Sequence, residues 1–138
     1  MEPSNQDVGL AVKRLQWRHH RESNSRLAEL GISLVQWDVL RHLALEPEAS
    51  LHDLAVLIFQ TDQAMGELAR RMVDRGLLER RSGPGRAIRH RLTARGERLR
   101  SEGSLIADGV LDGTIGRLDD RDRLELYRLL LRAANVEE

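Results

Sequence analysis

The stretch from Ser50 to Gly76 constrains this chain most. Leu51, Leu54, Ala55, Leu57 and Ile58 make one short, almost wholly apolar helix after a serine cap, which belongs inside on every side, and Phe59-Gln60-Thr61 interrupts it. A second helix starts at Asp62 and places Met65, Leu68, Ala69, Met72 and Val73 on a single stripe, with Gly76 as its stop. Two short helices joined by a tight turn form a helix-turn-helix. Leu77 to Arg81, the turn Ser82-Gly83-Pro84-Gly85-Arg86, and Ala87 to Leu92 follow as a β-hairpin. The expected class is therefore mainly α with a small β-hairpin wing (α+β), a winged helix-turn-helix.

The second helix carries the chemistry. Its stripe leaves Asp62, Gln63, Gly66, Glu67, Arg70, Arg71 and Asp74 on the opposite side, as the candidate reading face. Gln63 sits on the first turn, where an amide pairs with adenine in a major groove, or is an ordinary surface glutamine. Thr61 serves as the cap and is placed to read as well. Arg70 and Arg71 lie further along and suit phosphates, which position without specifying, while Glu67 is read as a screen for them. In the hairpin, Ile88, His90 and Leu92 alternate with Ala87, Arg89 and Arg91, so one face packs and the other is basic. Arg86 at the tip has no core to serve and suits the narrow, negative minor groove. Arg89 and Arg91 are weaker candidates, because a basic strand face is often solvated or paired to acids such as Glu79.

Composition adds to this only through its distribution. The 138 residues carry 22 basic and 22 acidic side chains, a formal balance of zero. Between Ser50 and Arg95, however, nine arginines face five acids, a local net of +4 that the flanks offset. Cysteine is absent, which excludes disulfides and thiolate chemistry and fits a reducing cytoplasm. Neither a membrane span nor a signal peptide is visible, so a soluble cytoplasmic protein is expected.

The flanks read as helices. Val8, Ala11, Val12, Leu15, Leu27 and Leu30 recur at helical spacing up to Gly31, with a polar gap from Trp17 to Ser25. Ser33 caps a helix over Leu34–Leu45 that Pro47 ends, and Thr93 caps another running to about Gly113, weakened by Gly103, Gly109 and Gly113. Asp119-Asp120-Arg121-Asp122 opens a last helix to about Ala134 that is apolar nearly all round. Such a helix exposes a sticky patch unless a partner covers it, and a twofold homodimer suits palindromic double-stranded DNA. The whole of 1–138 is then one domain, with 7–31 and 94–134 for dimerisation and 33–93 for DNA.

Several segments together resemble the MarR family of bacterial transcription regulators. They are Gln36-Trp37-Asp38-Val39-Leu40-Arg41-His42-Leu43, Leu54-Ala55, Leu68 through Arg80, Gly85-Arg86, and Leu92-Thr93-Ala94-Arg95-Gly96. The resemblance spans about residues 8 to 134, and Asp74-Arg75-Gly76-Leu77-Leu78 and Leu92-Thr93 are its most specific pieces. It implies a dimeric repressor of nearby genes that releases DNA on binding a small molecule. It also implies an effector pocket between the dimerisation helices and the winged helix, to which Trp17, His20, Trp37 and His42 are assigned; core packing is the competing role for both tryptophans. Two departures stand out: Pro84 replaces the acid usually found two residues before the wing arginine, and Thr61-Asp62-Gln63-Ala64 lacks the usual run of serines and threonines.

Other classes fit less well. A protein-binding adaptor would use the same basic face on an acidic partner. A metal-responsive regulator would draw on the histidines, but His19 and His20 are adjacent on a helix and point apart, and His42 and His52 are distant in sequence. No cofactor is expected. An enzyme is not expected either, without a cysteine nucleophile, a Gly-rich phosphate loop or a nucleophile elbow.

Overall fold

A computed structural model of the chain describes every residue except Gly83, Pro84, Arg86 and Glu138. Two compact units emerge, one made of residues 1–22 and 107–138, the other of residues 23–106. The elements in chain order are α1 (Asn5–Leu27) with a 3₁₀ turn Ala28–Leu30, α2 (Leu34–Leu45), α3 (Leu51–Leu57) and α4 (Asp62–Asp74). The hairpin β1 (Leu78–Ser82) and β2 (Ile88–Leu92) follows, then α5 (Ala94–Asp112), a 3₁₀ turn Ile115–Arg117, and α6 (Asp120–Ala134). Helices α1 and α5 contribute residues to both units. Among the described residues no helix is long and apolar enough to cross a membrane.

In the 23–106 unit, local chemistry sets each boundary. Ser33 and Ser50 each accept a bond from the third residue of their helix, and the side chains of Gln36 and Asp53 reach back to close both capping boxes. Thr61 caps α4 by accepting from the Ala64 amide at 3.1 Å. Gly76, at φ 74°, turns the chain out of α4, and the Leu77 amide then donates back to the Met72 carbonyl at 2.9 Å. The hairpin pairs antiparallel from Leu78 with Leu92 to Ser82 with Ile88. Thr93 joins the wing to α5: its hydroxyl donates to the Gly76 carbonyl at 2.6 Å and accepts from the Gly96 amide at 3.0 Å.

The core of this unit is built from Leu27 of α1, Val39, Leu40 and Leu43 of α2, Leu54 of α3, Met65 and Met72 of α4, and Leu77 and Leu78 at the wing's root. Trp37 belongs to it as well. Its indole N–H donates to the Arg100 carbonyl at 3.1 Å, and it lies so close to Gly103 that a β-carbon there would sit 2.4 Å from the ring. Gly103 is therefore the slot that admits the indole into α5's side, more than a weak point in the helix.

Two other expectations change. Helix α3, read as buried all round, hides only Leu54 and Ala55, followed by Ile58; Val56 is 62% exposed and Phe59 93% exposed. A helix of two turns has one face to lay against its neighbours, and the other remains in solvent whatever its composition. Phe59 also holds φ 59°, a left-handed conformation that bulky residues rarely adopt. On β2 the packed face is carried by His90, 5% exposed, whereas Ile88 at the far end of the strand is 48% exposed.

The other unit is thinly packed. Its buried apolar residues are Ala107 and Val110, and no residue of α6 is buried. Val8, Val12, Leu124, Tyr127, Leu129 and Leu130 stand 41–53% exposed. The stripe of α1 continues through its polar gap by way of two small or polar residues. His19 donates to or accepts from the Thr114 hydroxyl at 2.6 Å within this unit, and Ser23 is buried in the other.

Gly103→Ala should lower stability by about 1–3 kcal/mol through overpacking against Trp37, in spite of the higher helix propensity of alanine. Gly66→Ala on α4, where a β-carbon meets nothing within 4 Å, should raise it by about 0.5–1 kcal/mol. Urea denaturation of both variants checks the opposite signs.

Candidate nucleic-acid interface

Helix α4 separates its residues cleanly by chemistry. Met65, Ala69 and Met72 are buried, and Thr61, Asp62, Gln63, Glu67, Arg70, Arg71 and Asp74 are exposed on the opposite side. The four residues expected on this helix to meet DNA, Thr61, Gln63, Arg70 and Arg71, are therefore all presented to solvent from one rigid helix. Among the described residues Glu67 makes no ion pair with Arg70 or Arg71, so the expected screening operates at most through solvent.

The arginines divide into two groups. Arg75 donates to the Gly31 carbonyl and, at 3.3 Å, to the Gln36 side chain, tying the end of α4 to the start of α2. Arg95 donates to the Arg75 carbonyl at 3.1 Å. Arg81 reaches from β1 to the Pro47 carbonyl at 2.9 Å and to Glu48 at 2.7 Å, anchoring the wing on the loop between α2 and α3. These three cations are structural. The local excess of positive charge read from the sequence is thus partly spent inside the fold.

On the wing, Arg91 pairs with Glu79 across the strands at 2.5 Å, the alternative role foreseen for it. Arg89 is half-buried, its Nη1 donating to the Ile88 carbonyl at 3.3 Å while its Nε is buried with no partner. Arg80 is exposed and stands opposite His90 in the hairpin register. Burial, and secondarily the charge of Arg80, lowers the pKa of His90 from its ordinary value, which favours the neutral ring. Arg86, the tip residue, lies outside the described residues.

A cleft of about 470 Å³ separates the wing from the reading helix, lined by Leu51 and by Gly66, Arg70 and Asp74 on one side and Arg80, Ile88 and His90 on the other. Sequence reasoning missed a polar link at the top of the reading helix. His52 of α3 bonds Asp62 of α4 through its Nδ1 at 2.9 Å, with both side chains 70% exposed. A ten-residue separation across a turn gives no periodic signal, and the two residues become neighbours only once α3 and α4 are folded together.

The residues assigned to an effector are distributed over the two units. Trp17 and His20 stack within one, with ring centroids 6.0 Å apart, and Trp17 is 60% exposed. Trp37 and His42 lie in the other, where Trp37 is engaged in the core as described. Among the described residues no group of three or more histidine, aspartate or glutamate side chains is placed to hold a metal ion.

Comparison with known proteins decides the family. A MarR family model matches residues 30–87. The HTH-type transcriptional repressor Rv2887 of Mycobacterium tuberculosis is 30% identical over 111 residues, covering 79% of this chain and 80% of that protein. This chain belongs to the MarR family. The crystal structure of the same mycobacterial protein in complex with DNA aligns with a TM-score of 0.72 at 25% identity, over 96% of this chain and 98% of that one. The CouR structure from Rhodococcus jostii, bound to p-coumaroyl-CoA, shares the fold with a TM-score of 0.86 at 19% identity, over 97% of this chain and 96% of that one. The winged helix built above from caps, stripe and hairpin is thus the MarR arrangement.

Arg81→Ala should cost about 1 kcal/mol, since it removes a charged donor from two partly exposed acceptors. Glu48→Ala should cost less, because the Pro47 carbonyl still receives the guanidinium. Hydrogen exchange checks this: the amides of β1 and β2 should lose protection in Arg81→Ala while those of α2 keep it.

Proposed function

We propose that this protein is a homodimeric, sequence-specific repressor of transcription that binds double-stranded DNA at a pseudo-palindromic operator and leaves it when a small molecule binds. It is a cytoplasmic regulator, not an enzyme. The observation that carries the reading is the face of α4, where Thr61, Gln63, Arg70 and Arg71 stand exposed together on a helix whose other side is locked in the core. A helix so presented fits a major groove, its first turn against base edges and its later arginines against phosphates. Membership of the MarR family and the likeness to a relative crystallised with DNA support it.

Residues 1–138 act as one MarR-like domain in this reading, with 33–93 meeting DNA and 7–31 and 94–134 meeting the second copy. Support for dimerisation comes from the unit of residues 1–22 and 107–138. There α1 and α6 bound an apolar groove of about 770 Å³, lined by Val8, Val12, Leu15, Leu126, Leu129 and Leu130 among others. That much unsatisfied apolar surface is what an obligate twofold interface covers.

Structures of the mycobacterial relative have been determined with p-aminosalicylic acid and with salicylic acid. By that likeness an aromatic carboxylate is the effector class to try first. Of the residues assigned to it, the exposed Trp17 and His20 pair offers a flat ring surface with a polar edge; Trp37 and His42 are the remaining candidates.

Anisotropy at fixed salt, using a duplex selected from a random-sequence library by the full-length protein, tests the DNA contacts. Gln63→Ala should lose about 1–3 kcal/mol of discrimination at one base pair per half-site, and Arg86→Ala should weaken binding to all sequences and flatten the salt dependence. Unchanged specificity and affinity in both would remove α4 and the wing from the interface. Leu130→Arg should convert the dimer to a monomer in light scattering and lower operator affinity with it; a variant that stays dimeric would move the interface elsewhere.

A further inference from the structure

Two residues at the head of the reading helix carry a chemistry that the contacts above leave unused. His52 is the second residue of α3 and Asp62 the first of α4, and the imidazole Nδ1 meets the carboxylate at 2.9 Å. Both are 70% exposed, so neither is held there by the core. With Nδ1 occupied by Asp62, the ring's other nitrogen, Nε2, bonds no side chain or backbone group among the described residues and can donate outward. The reading face that DNA would meet begins at Thr61 and Gln63, on either side of Asp62. An unpaired carboxylate at that point would repel the phosphate backbone, and an imidazolium beside it cancels that repulsion.

We propose that His52 and Asp62 form a phosphate clamp, in which the doubly protonated imidazole donates through Nδ1–H to Asp62 and through Nε2–H to one DNA phosphate, so that operator binding takes up a proton at this pair. It deepens the DNA-binding reading and rests on it. No covalent bond to carbon or phosphorus is made or broken; between the pKa of the free ring and that of the bound ring, up to one proton per site moves from solvent to His52 when the site fills.

The surroundings favour the charged ring. The pKa of His52 is raised above 6.5, first by the hydrogen bond to Asp62 and then by that carboxylate's charge, with Asp53 on its own helix adding to the effect. Asp53 is itself engaged by Ser50, and Arg89 of β2 acts on Asp53. The other two histidines with shifted values go the opposite way: burial lowers both His19 and His90. A phosphate would add a second anion to His52 and raise its pKa further. Affinity should then be constant below the free protein's His52 pKa, fall as pH rises from there to the pKa of the bound state, and level off above it.

The experiment measures anisotropy of full-length protein on the library-selected duplex, from pH 5.5 to 8.5 at constant ionic strength, alongside the Cε1–H resonance of His52 followed by NMR. Wild type should lose about tenfold in affinity across the range, and its His52 resonance should titrate at higher pH with DNA than without. His52→Ala should flatten the profile and reduce the slope of log affinity against log salt at pH 6 by about one for each protomer. Asp62→Asn should move the midpoint to lower pH. A merely structural link between the helices would weaken His52→Ala equally at every pH and leave the NMR titration indifferent to DNA, and either result overturns the clamp. If wild type binds no duplex at low salt, the DNA-binding reading itself falls; if it binds and His52→Ala keeps the wild-type pH profile, only the clamp does.

Discussion

Trp37 against Gly103 is the contact on which the 23–106 unit depends. An indole donates to the backbone of α5 and occupies the space a side chain would fill, so the ring of α2 seats directly against the α5 backbone. A second close approach repeats the device at the wing's root. A β-carbon on Gly96 would stand 2.1 Å from the Leu77 carbonyl oxygen, and that carbonyl also accepts from the Thr93 amide. With α5 fixed against both α2 and the start of β1, the hairpin and the helices before it hold one geometry. Helix α4 then needs only its buried stripe and the Arg75 tie to Gly31 and Gln36 to set the direction of its exposed face.

Much of this was legible because it is local. Ser33, Ser50 and Thr61 cap the helices assigned to them, and Gly76 adopts the left-handed turn expected after α4, since each acts on backbone groups within a few residues. The split of α4 into a buried stripe and an exposed polar face follows from helical period alone. What periodicity does not carry is distance across the fold. The arginines of 50–95 look alike in sequence, but only the folded chain separates Arg75, Arg81 and Arg95, bound to carbonyls, from Arg70, Arg71 and Arg80, left exposed. Gly103 read as a helix weakener because a glycine does not name the ring that lies on it. Likewise α3 read as interior because composition counts apolar residues without counting how many neighbours a two-turn helix has.

Reading Arg75, Arg81 and Arg95 as fold-stabilising changes what the charge excess means. A guanidinium engaged by a carbonyl contributes modestly to stability and has fewer of its five N–H groups left to offer a phosphate. The cations most available to a phosphate are accordingly fewer than the nine arginines of the sequence, and among the described residues they include Arg70 and Arg71 on the far turns of α4 and Arg80 on the hairpin. Each cation so engaged lowers the number of phosphates one copy can neutralise, and with it the salt-dependent part of its affinity. Each additional protonated group near the reading helix then counts for more, which is why a histidine that neutralises Asp62 matters in this chain beyond its single charge.

The same shortage connects the two ends of the chain. Helix α6 has fifteen residues and buries none of them, yet an isolated helix of that length is marginal in water. Its Asp119 cap and its aspartates in the first turn contribute modestly to its stability. The remainder has to come from covering Leu129, Leu130 and their neighbours, which a second copy of the chain can do. Two copies present two reading helices, and a DNA site that engages both gains the second contact at high effective concentration. Pairing two copies in this way adds affinity without any new contact in the half-site, and leaves the choice of sequence to the reading helix.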